Sequence, residues 1–331
     1  MTKQKVLPPD AVLKSYWRNN DRFADLFNQI FFNGEALISP EDLSDAATDE
    51  ADMLLEGETV TAISRLRDLF KRYGSQIVLA LFNVENQMSI HYAMPVRFMQ
   101  NDALDYTKQC KAIEQEHRRQ NDLKSGAEFL SGMTADDRIA PILSLLIYYG
   151  EEPWDGPNNL WDIMDIPDAM KPYINDYHIH VFQVKDSLQY SFQNQDNRDF
   201  FMLISEFYNQ KGRFKISEFR EKHPDMDVYW ETVAAVGAAT GTTKLMKYAL
   251  KNEGKRLNMC TALQGLIDDG IAQGRKTGRE EGIKTGRQKE RDEIIAETVR
   301  HLKGMNIPAP VFSALAESFH LSEEELHKYL S

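Results

Sequence analysis

Ile77-Val-Leu-Ala-Leu-Phe-Asn-Val84 is an almost unbroken apolar run of strand length. It reads as a strand buried on both faces, and it runs directly into Glu85-Asn-Gln87. Residues 91–119 follow, with Met94, Phe98 and Leu104 at helical spacing, Cys110 and Ile113 beyond, and a charged end from Glu114 to Arg119. Pro141-Ile-Leu-Ser-Leu-Leu-Ile-Tyr-Tyr149 is a second buried run, stopped by Gly150 and Pro153. Strand, long helix, strand predicts a βαβ unit with parallel pairing and a right-handed crossover, and hence an α/β fold.

Upstream, residues 1–20 read as a leader arm. Asn20 or Asp21 caps a helix whose Phe23, Leu26, Phe27, Ile30 and Phe31 form one apolar stripe, ended by Asn33-Gly34. Glu41 to Glu58 is acidic and poor in apolar residues, as an exposed connection is. In 60–73, Val60, Ile63, Leu66, Phe70 and Tyr73 recur at helical spacing, so periodicity alone predicts a helix closed by Gly74.

Downstream, 160–265 reads as mainly helical with a strand at His178 to Val184, and 191–265 is set apart as a helical subdomain. Within 266–293, Gly270, Gly274, Gly278, Gly282 and Gly286 recur at every fourth position. Each costs a helix about 0.5–1 kcal/mol relative to alanine, so the segment is either a helix whose glycine groove admits a partner backbone or a charged linker. The groove reading implies a homo-oligomer through the 270–286 helix. Residues 294–331 read as a small helix-turn-helix-like tail: Ile294 to Leu302, a helix from Pro308 or Pro310, and a last one capped by Ser322 with Glu325.

Composition bounds the rest. Apolar residues make up 42% of the 331 positions, enough for a real core. Ile139 to Tyr149, the longest mostly apolar run, falls short of the roughly 20 residues a membrane span needs. The start, Met1-Thr-Lys-Gln-Lys5 before Pro8-Pro9, has no apolar stretch for export, and the only two cysteines, Cys110 and Cys260, lack metal-ligand spacing. A cytoplasmic protein without zinc or membrane is expected. The net charge of −12 runs against polyanion binding, which then requires a local basic face or a divalent ion.

The sequence Glu85-x-Gln87 carries the most chemistry. Alternate residues leaving a strand project to one side, and α/β sheets bind ligands at strand ends. A second carboxylate beside Glu85 makes a hard-oxygen site for Mg²⁺ or Mn²⁺, and Asp68 in Leu66-Arg-Asp-Leu-Phe70 is the upstream candidate. Such an ion supports hydrolysis of a phosphodiester, with Gln87 orienting water or a phosphate oxygen by hydrogen bonds alone. Read from residue types alone, a polar strand end facing solvent explains the same pattern. His91, His178, His180 and the indoles of Trp154, Trp161 and Trp230 are read as surface or core residues.

Five further stretches extend this pattern: Asn20-Asp21-Arg-Phe-Ala-Asp-Leu-Phe27, Arg65-Leu-Arg-Asp68, Val84-Glu-Asn-Gln87, Ile90-His-Tyr-Ala-Met-Pro-Val-Arg97, and Pro141 to Gly156 ending Tyr148-Tyr-Gly-Glu-Glu-Pro-Trp-Asp-Gly. With Met259-Cys260, the glycine repeat and Leu321-Ser-Glu-Glu-Glu325, they resemble the Rpn family of recombination-promoting nucleases and transposases in the PD-(D/E)XK superfamily. The resemblance implies a restriction-endonuclease-like αβββαβ core over 21–190. It makes 67–73 a strand, with a mainly helical C-terminal half beyond the core. It also implies a Mg²⁺ (or Mn²⁺, Ca²⁺) ion on Asp68, Glu85 and the Asn86 carbonyl, with Gln87 completing the catalytic set. Asp21, a better match than Asp25 to the extra acid that superfamily members present from the first helix, and Arg97 are the accessory candidates, against helix capping and a surface ion pair. The expected activity is DNA endonuclease, linked to recombination or mobile elements. The alternative is an inactive DNA-binding or assembly protein organised by the glycine-repeat helix.

Overall fold

The computed structural model describes residues 7–45, 52–56, 59–63, 69–74, 77–83, 90–209, 215–302, 308–322 and 325. The chain divides into two compact units, Met1–Gln264 and Gly265–Ser331. Its elements run α1 (Pro9–Arg18), α2 (Asn20–Phe32), β1 (Leu43–Asp45), β2 (Asp52–Glu56), β3 (Thr59–Ile63), β4 (Leu69–Tyr73) and β5 (Ile77–Asn83). Next come α3 (Met94–Gln120), α4 (Gly126–Ser131), β6 (Ile142–Tyr148) and β7 (His180–Gln183). The helical half follows with α5 (Gln195–Asn209), α6 (Ile216–Lys222), β8 (Asp227–Tyr229), α7 (Trp230–Ala239), α8 (Thr243–Lys251), β9 (Arg256–Asn258), α9 (Met259–Leu302) and α10 (Ala309–Ser318).

Among the described residues, five strands form one mixed sheet in the order β1-β4-β5-β6-β7, making this an α/β protein with a mainly helical C-terminal half. β1, β4 and β5 are antiparallel neighbours, whereas β5–β6 and β6–β7 are parallel. α3 makes the crossover between β5 and β6 that the two apolar runs predicted. Among the described residues, β2 and β3 form a separate antiparallel pair that falls between β1 and β4 in the chain. The helix that periodicity favoured over 60–73 is thus replaced by strand at Thr59–Ile63 and Leu69–Tyr73.

Alternation along β4 explains how the sheet is covered. Phe70 faces α3, packing with Val78, Met94, Phe98, Leu146 and Ile179. Leu69 and Lys71 face the other way, towards the first two helices, and Lys71 is fully buried there. Its ammonium donates to the Arg18 carbonyl at 2.8 Å, to Asn20 Oδ1 at 2.6 Å and to Asp45 Oδ1 at 2.9 Å. Three acceptors satisfy the three donors of the ammonium, which is what allows the charge to be buried.

Residues 1–20 are not merely an arm. α1 opens with Pro9 at its first turn and buries Val12, Leu13, Tyr16 and Trp17. Trp17 Nε1 donates to Tyr149 Oη at 2.9 Å, and Tyr16 stacks on Phe200 with centroids 4.8 Å apart. Asn19, rather than Asn20 or Asp21, caps α2, accepting from the Arg22 amide at 3.1 Å. Arg22 lies under Tyr16 and pairs with Asp196 and Glu231, each at 2.8 Å. These links join α5 and α7 to the first two helices, and all of them lie in the same compact unit as the sheet. α7 is buried from Thr232 to Ala239, and a Cβ on its Gly237 would lie 2.5 Å from the Met246 amide, so glycine permits the close approach of α8.

The connection from α3 to β6 is held at both ends. Gln109 exchanges hydrogen bonds with the Ala140 backbone at 3.1 and 2.6 Å. Further out, His117 Nδ1 meets Asp122 at 2.7 Å and Nε2 meets Asp137 at 2.9 Å, an arrangement that suits a doubly protonated ring. Hydrogen bonds to Asp122 and then Asp137 hold the imidazole pKa above its ordinary value. A raised folded-state pKa stabilises the fold fully below the unfolded value, and that contribution is lost as pH rises through the folded value. An NMR titration of His117 is therefore expected to give a pKa above that of an exposed histidine. Amide exchange in 121–137 is expected to accelerate, beyond the intrinsic pH effect, as that pKa is passed. An unshifted titration would remove the latch.

In the second unit, Ile295, Val299 and Ala316 form a small core with Leu315, Phe319 and Leu321 packed against it. The Ser322–Glu325 box is made, with Ser322 N to Glu325 Oε2 at 2.9 Å and Glu325 N to Ser322 Oγ at 3.2 Å. Residues 294–302 are not a separate helix but the end of α9, which is continuous through the glycine repeat. A Cβ built at Gly270, Gly274, Gly278, Gly282 or Gly286 meets nothing within 4 Å. Gly278→Ala and Gly282→Ala are each expected to stabilise the helix by about 0.5–1 kcal/mol, read as greater helical ellipticity and a higher melting temperature. A loss of helicity would mean that these glycines pack against a partner.

Candidate functional site

One end of the mixed sheet gathers the chain ends that bear on chemistry. Leu69 at the start of β4 lies opposite Leu81 near the end of β5, and Asn83 lies opposite Ile147 of β6. β1 also ends there, with Asp45 opposite Lys71. The start of β4 and the ends of β1, β5 and β6 therefore share one edge of the molecule.

Asp68 precedes β4 by one position, and Glu85, Asn86 and Gln87 follow β5; all four lie outside the described residues. Asp21 is exposed in the first turn of α2, where its charge complements the helix dipole. Arg97 is half-buried in the first turns of α3, and its carbonyl accepts from Asn101 Nδ2 at 2.7 Å. His91 is exposed just before α3. His178 is exposed, 3.5 Å from Asp176, and His180 meets the Phe31 ring edge-on. Burial first, and His178 second, lower the pKa of His180, which suits a neutral packing residue.

The loop after β6 brings further groups to this end. Glu151, Glu152 and Asp155 are exposed, while Trp154 packs edge-on to Tyr148 at 5.2 Å and its amide donates to Gln183 Oε1 at 2.7 Å. Burial raises the Tyr148 pKa, with Asp155 and Glu152 adding to the effect, so its hydroxyl stays protonated at neutral pH. Among the described residues, no three of the side chains His, Cys, Asp and Glu converge as a metal site. Nor is any helix there long and apolar enough to cross a membrane.

Sequence reasoning missed Lys71, and it weighed Asp25 only as a lesser match than Asp21 for an accessory acid. Asp25 is buried in α2, but it accepts from the Gln193 amide at 2.7 Å and from Asn197 Nδ2 at 2.8 Å, which makes it a structural acid. The only signal for Lys71 was a charged residue in an otherwise apolar stretch.

No protein-family model, curated protein or solved structure matches this chain.

Proposed function

We propose that the chain is a divalent-metal-dependent DNA endonuclease with a restriction-endonuclease-like core, akin to the Rpn recombination-promoting nucleases. One observation carries the reading: α2, then antiparallel β1, β4 and β5, then α3 and parallel β6 is an αβββαβ order, with β2–β3 as an inserted hairpin. The same register brings the start of β4, just after Asp68, beside the end of β5, just before Glu85. Hard oxygen donors at those two positions fit Mg²⁺ in chemical type.

When bound, Mg²⁺ supplies Lewis-acid stabilisation of charge on a phosphodiester. Asp68 and Glu85 hold it with their carboxylates, helped by the Asn86 carbonyl. Gln87 orients the attacking water or a phosphate oxygen by hydrogen bonds from its amide. Asp21 and Arg97 are accessory at most, one as a distant acid and the other as a phosphate contact.

Supercoiled plasmid incubated with the pure protein tests the reading. Nicked or linear product is expected with Mg²⁺ or Mn²⁺ and none in a chelator; intact plasmid in every metal would reject it. A second reading, an inactive DNA-binding or assembly protein organised by α9, draws on the bareness of that helix. It predicts an oligomer that dissociates on Gly278→Leu with Gly282→Leu, seen by light scattering, and no cleavage.

A further inference from the structure

From Asp268 to Arg291 every residue of α9 is exposed, so this stretch is bare on all its faces. Helices that are polar all round draw stability from ion pairs or from a partner. Among the described residues, Arg275, Arg279 and Arg287 have no ion-pair or hydrogen-bond partner. The segment is also the reverse of the whole chain in charge. Between Arg275 and Arg291 it carries seven lysines and arginines against three glutamates, in a protein of net charge −12.

The cations are ordered. Arg275, Arg279, Arg287 and Arg291 fall in one four-residue register, each except Arg291 directly following a repeat glycine. Successive positions of this register are about 6 Å apart along the axis and turn slowly around it, with Ile283 standing between Arg279 and Arg287. At the C-terminal end of the row a cleft of about 370 Å³ is lined by Arg287, Glu290, Arg291, Ile294, Phe319 and His320. Arg291 is anchored there by the Phe319 carbonyl. Arg287 and His320 also line this cleft, and Glu290 is the one carboxylate among its lining residues. A guanidinium fork and an imidazole lining one cleft suit a phosphate oxygen pair.

We infer that the bare basic face of α9 is a contact surface for the sugar–phosphate backbone of DNA, with one phosphate seated between Arg287 and His320. This rests on the endonuclease reading and names where the substrate is gripped away from the cutting centre. Charge complementarity favours DNA over the same helix of a second copy, because two such helices side by side would set like charges together. The surface also supplies the local basic face that an acidic protein needs to hold a polyanion.

The test measures binding of a fluorescent DNA duplex to the full chain in chelator, across a salt series. Arg287→Gln is expected to lower the slope of log affinity against log salt by about 1, and Arg275→Gln with Arg279→Gln and Arg287→Gln by about 3. With Mg²⁺, the triple variant should need more DNA for half-maximal cleavage while keeping its rate at saturation. Unchanged affinity and slope in the triple variant, with cleavage intact, would overturn this surface and leave the endonuclease standing. No binding and no cutting by the unmodified chain would remove both. Inorganic phosphate that binds at Arg287 while DNA binding ignores the substitutions would make the cleft a free-anion seat and overturn the inference. So would a change in oligomeric size alone.

Discussion

Glu85→Ala is expected to lower metal-dependent plasmid cleavage about a thousandfold or more, and Asp68→Ala to do the same. Each removes a charged ligand from a two-carboxylate site, so the loss falls on binding of the ion and on stabilisation of phosphate charge together. Gln87→Ala should cost less, about a hundredfold, because an amide orients by hydrogen bonding and holds no cation. The fold should survive all three changes. The β4–β5 core is built by Leu69, Phe70, Val78 and Leu79 on the two sheet faces, and none of the three residues is among them. Circular dichroism should match the parent while agarose gels show intact plasmid. Cleavage that persists in the Glu85 variant would move the cutting centre elsewhere. The geometric counterpart is an approach of about 4–5 Å between Asp68 and Glu85 carboxylate oxygens.

Much of the sheet was legible because its central strands are buried on both faces and announce themselves as unbroken apolar runs. Ile77 to Asn83, Ile142 to Tyr148 and the Met94–Phe98 stripe between them became β5, β6 and α3. β4 was harder. Leu66, Phe70 and Tyr73 happen to fall at helical spacing, and a strand packed on both sides shows no alternation to correct the impression. Phe70 turns to α3 and Lys71 to α1, a division visible only once both layers exist. α1 was hidden differently: residues 1–20 read as a leader arm, although proline in the first turn is a helix-start signal and Val12, Leu13, Tyr16 and Trp17 make a clear stripe. The glycine repeat left helix and linker open, because propensity opposes a helix there and only the unbroken backbone of α9 decides it. As for the site, its residue types were readable and one end of the sheet gathers the strands that flank them. The polar scaffold around it was not readable, since Lys71 takes acceptors from Arg18, Asn20 and Asp45, far away in sequence.

That scaffold carries the second large effect. Lys71→Ala is expected to destabilise the protein by about 3 kcal/mol, and Lys71→Met by distinctly less. Alanine removes both the head group, whose nitrogen lies 5.5 Å from the Phe23 ring centre, and the stem, and leaves a void at a position with no solvent access. It also strips a donor from the Arg18 carbonyl and from Asn20 Oδ1, each a partly buried acceptor that is costly to leave unpaired. Asp45 suffers least, because its side chain is 60% exposed and water can replace the ammonium. Methionine restores the stem and its packing but not the donors, so the gap between the two variants isolates volume from hydrogen bonding. Urea denaturation followed by tryptophan fluorescence measures both, with Trp17 in the adjoining α1 as the local reporter. Equal stability of the Ala variant and the parent would mean that the ammonium's desolvation cancels its three bonds, as happens for some buried pairs. A destabilised Lys71→Met that still nicks plasmid at the parental rate below its melting point would place Lys71 in the fold alone. A lowered rate at full folding would mean that the α1–α2 corner also sets the start of β4, and through it the position of Asp68.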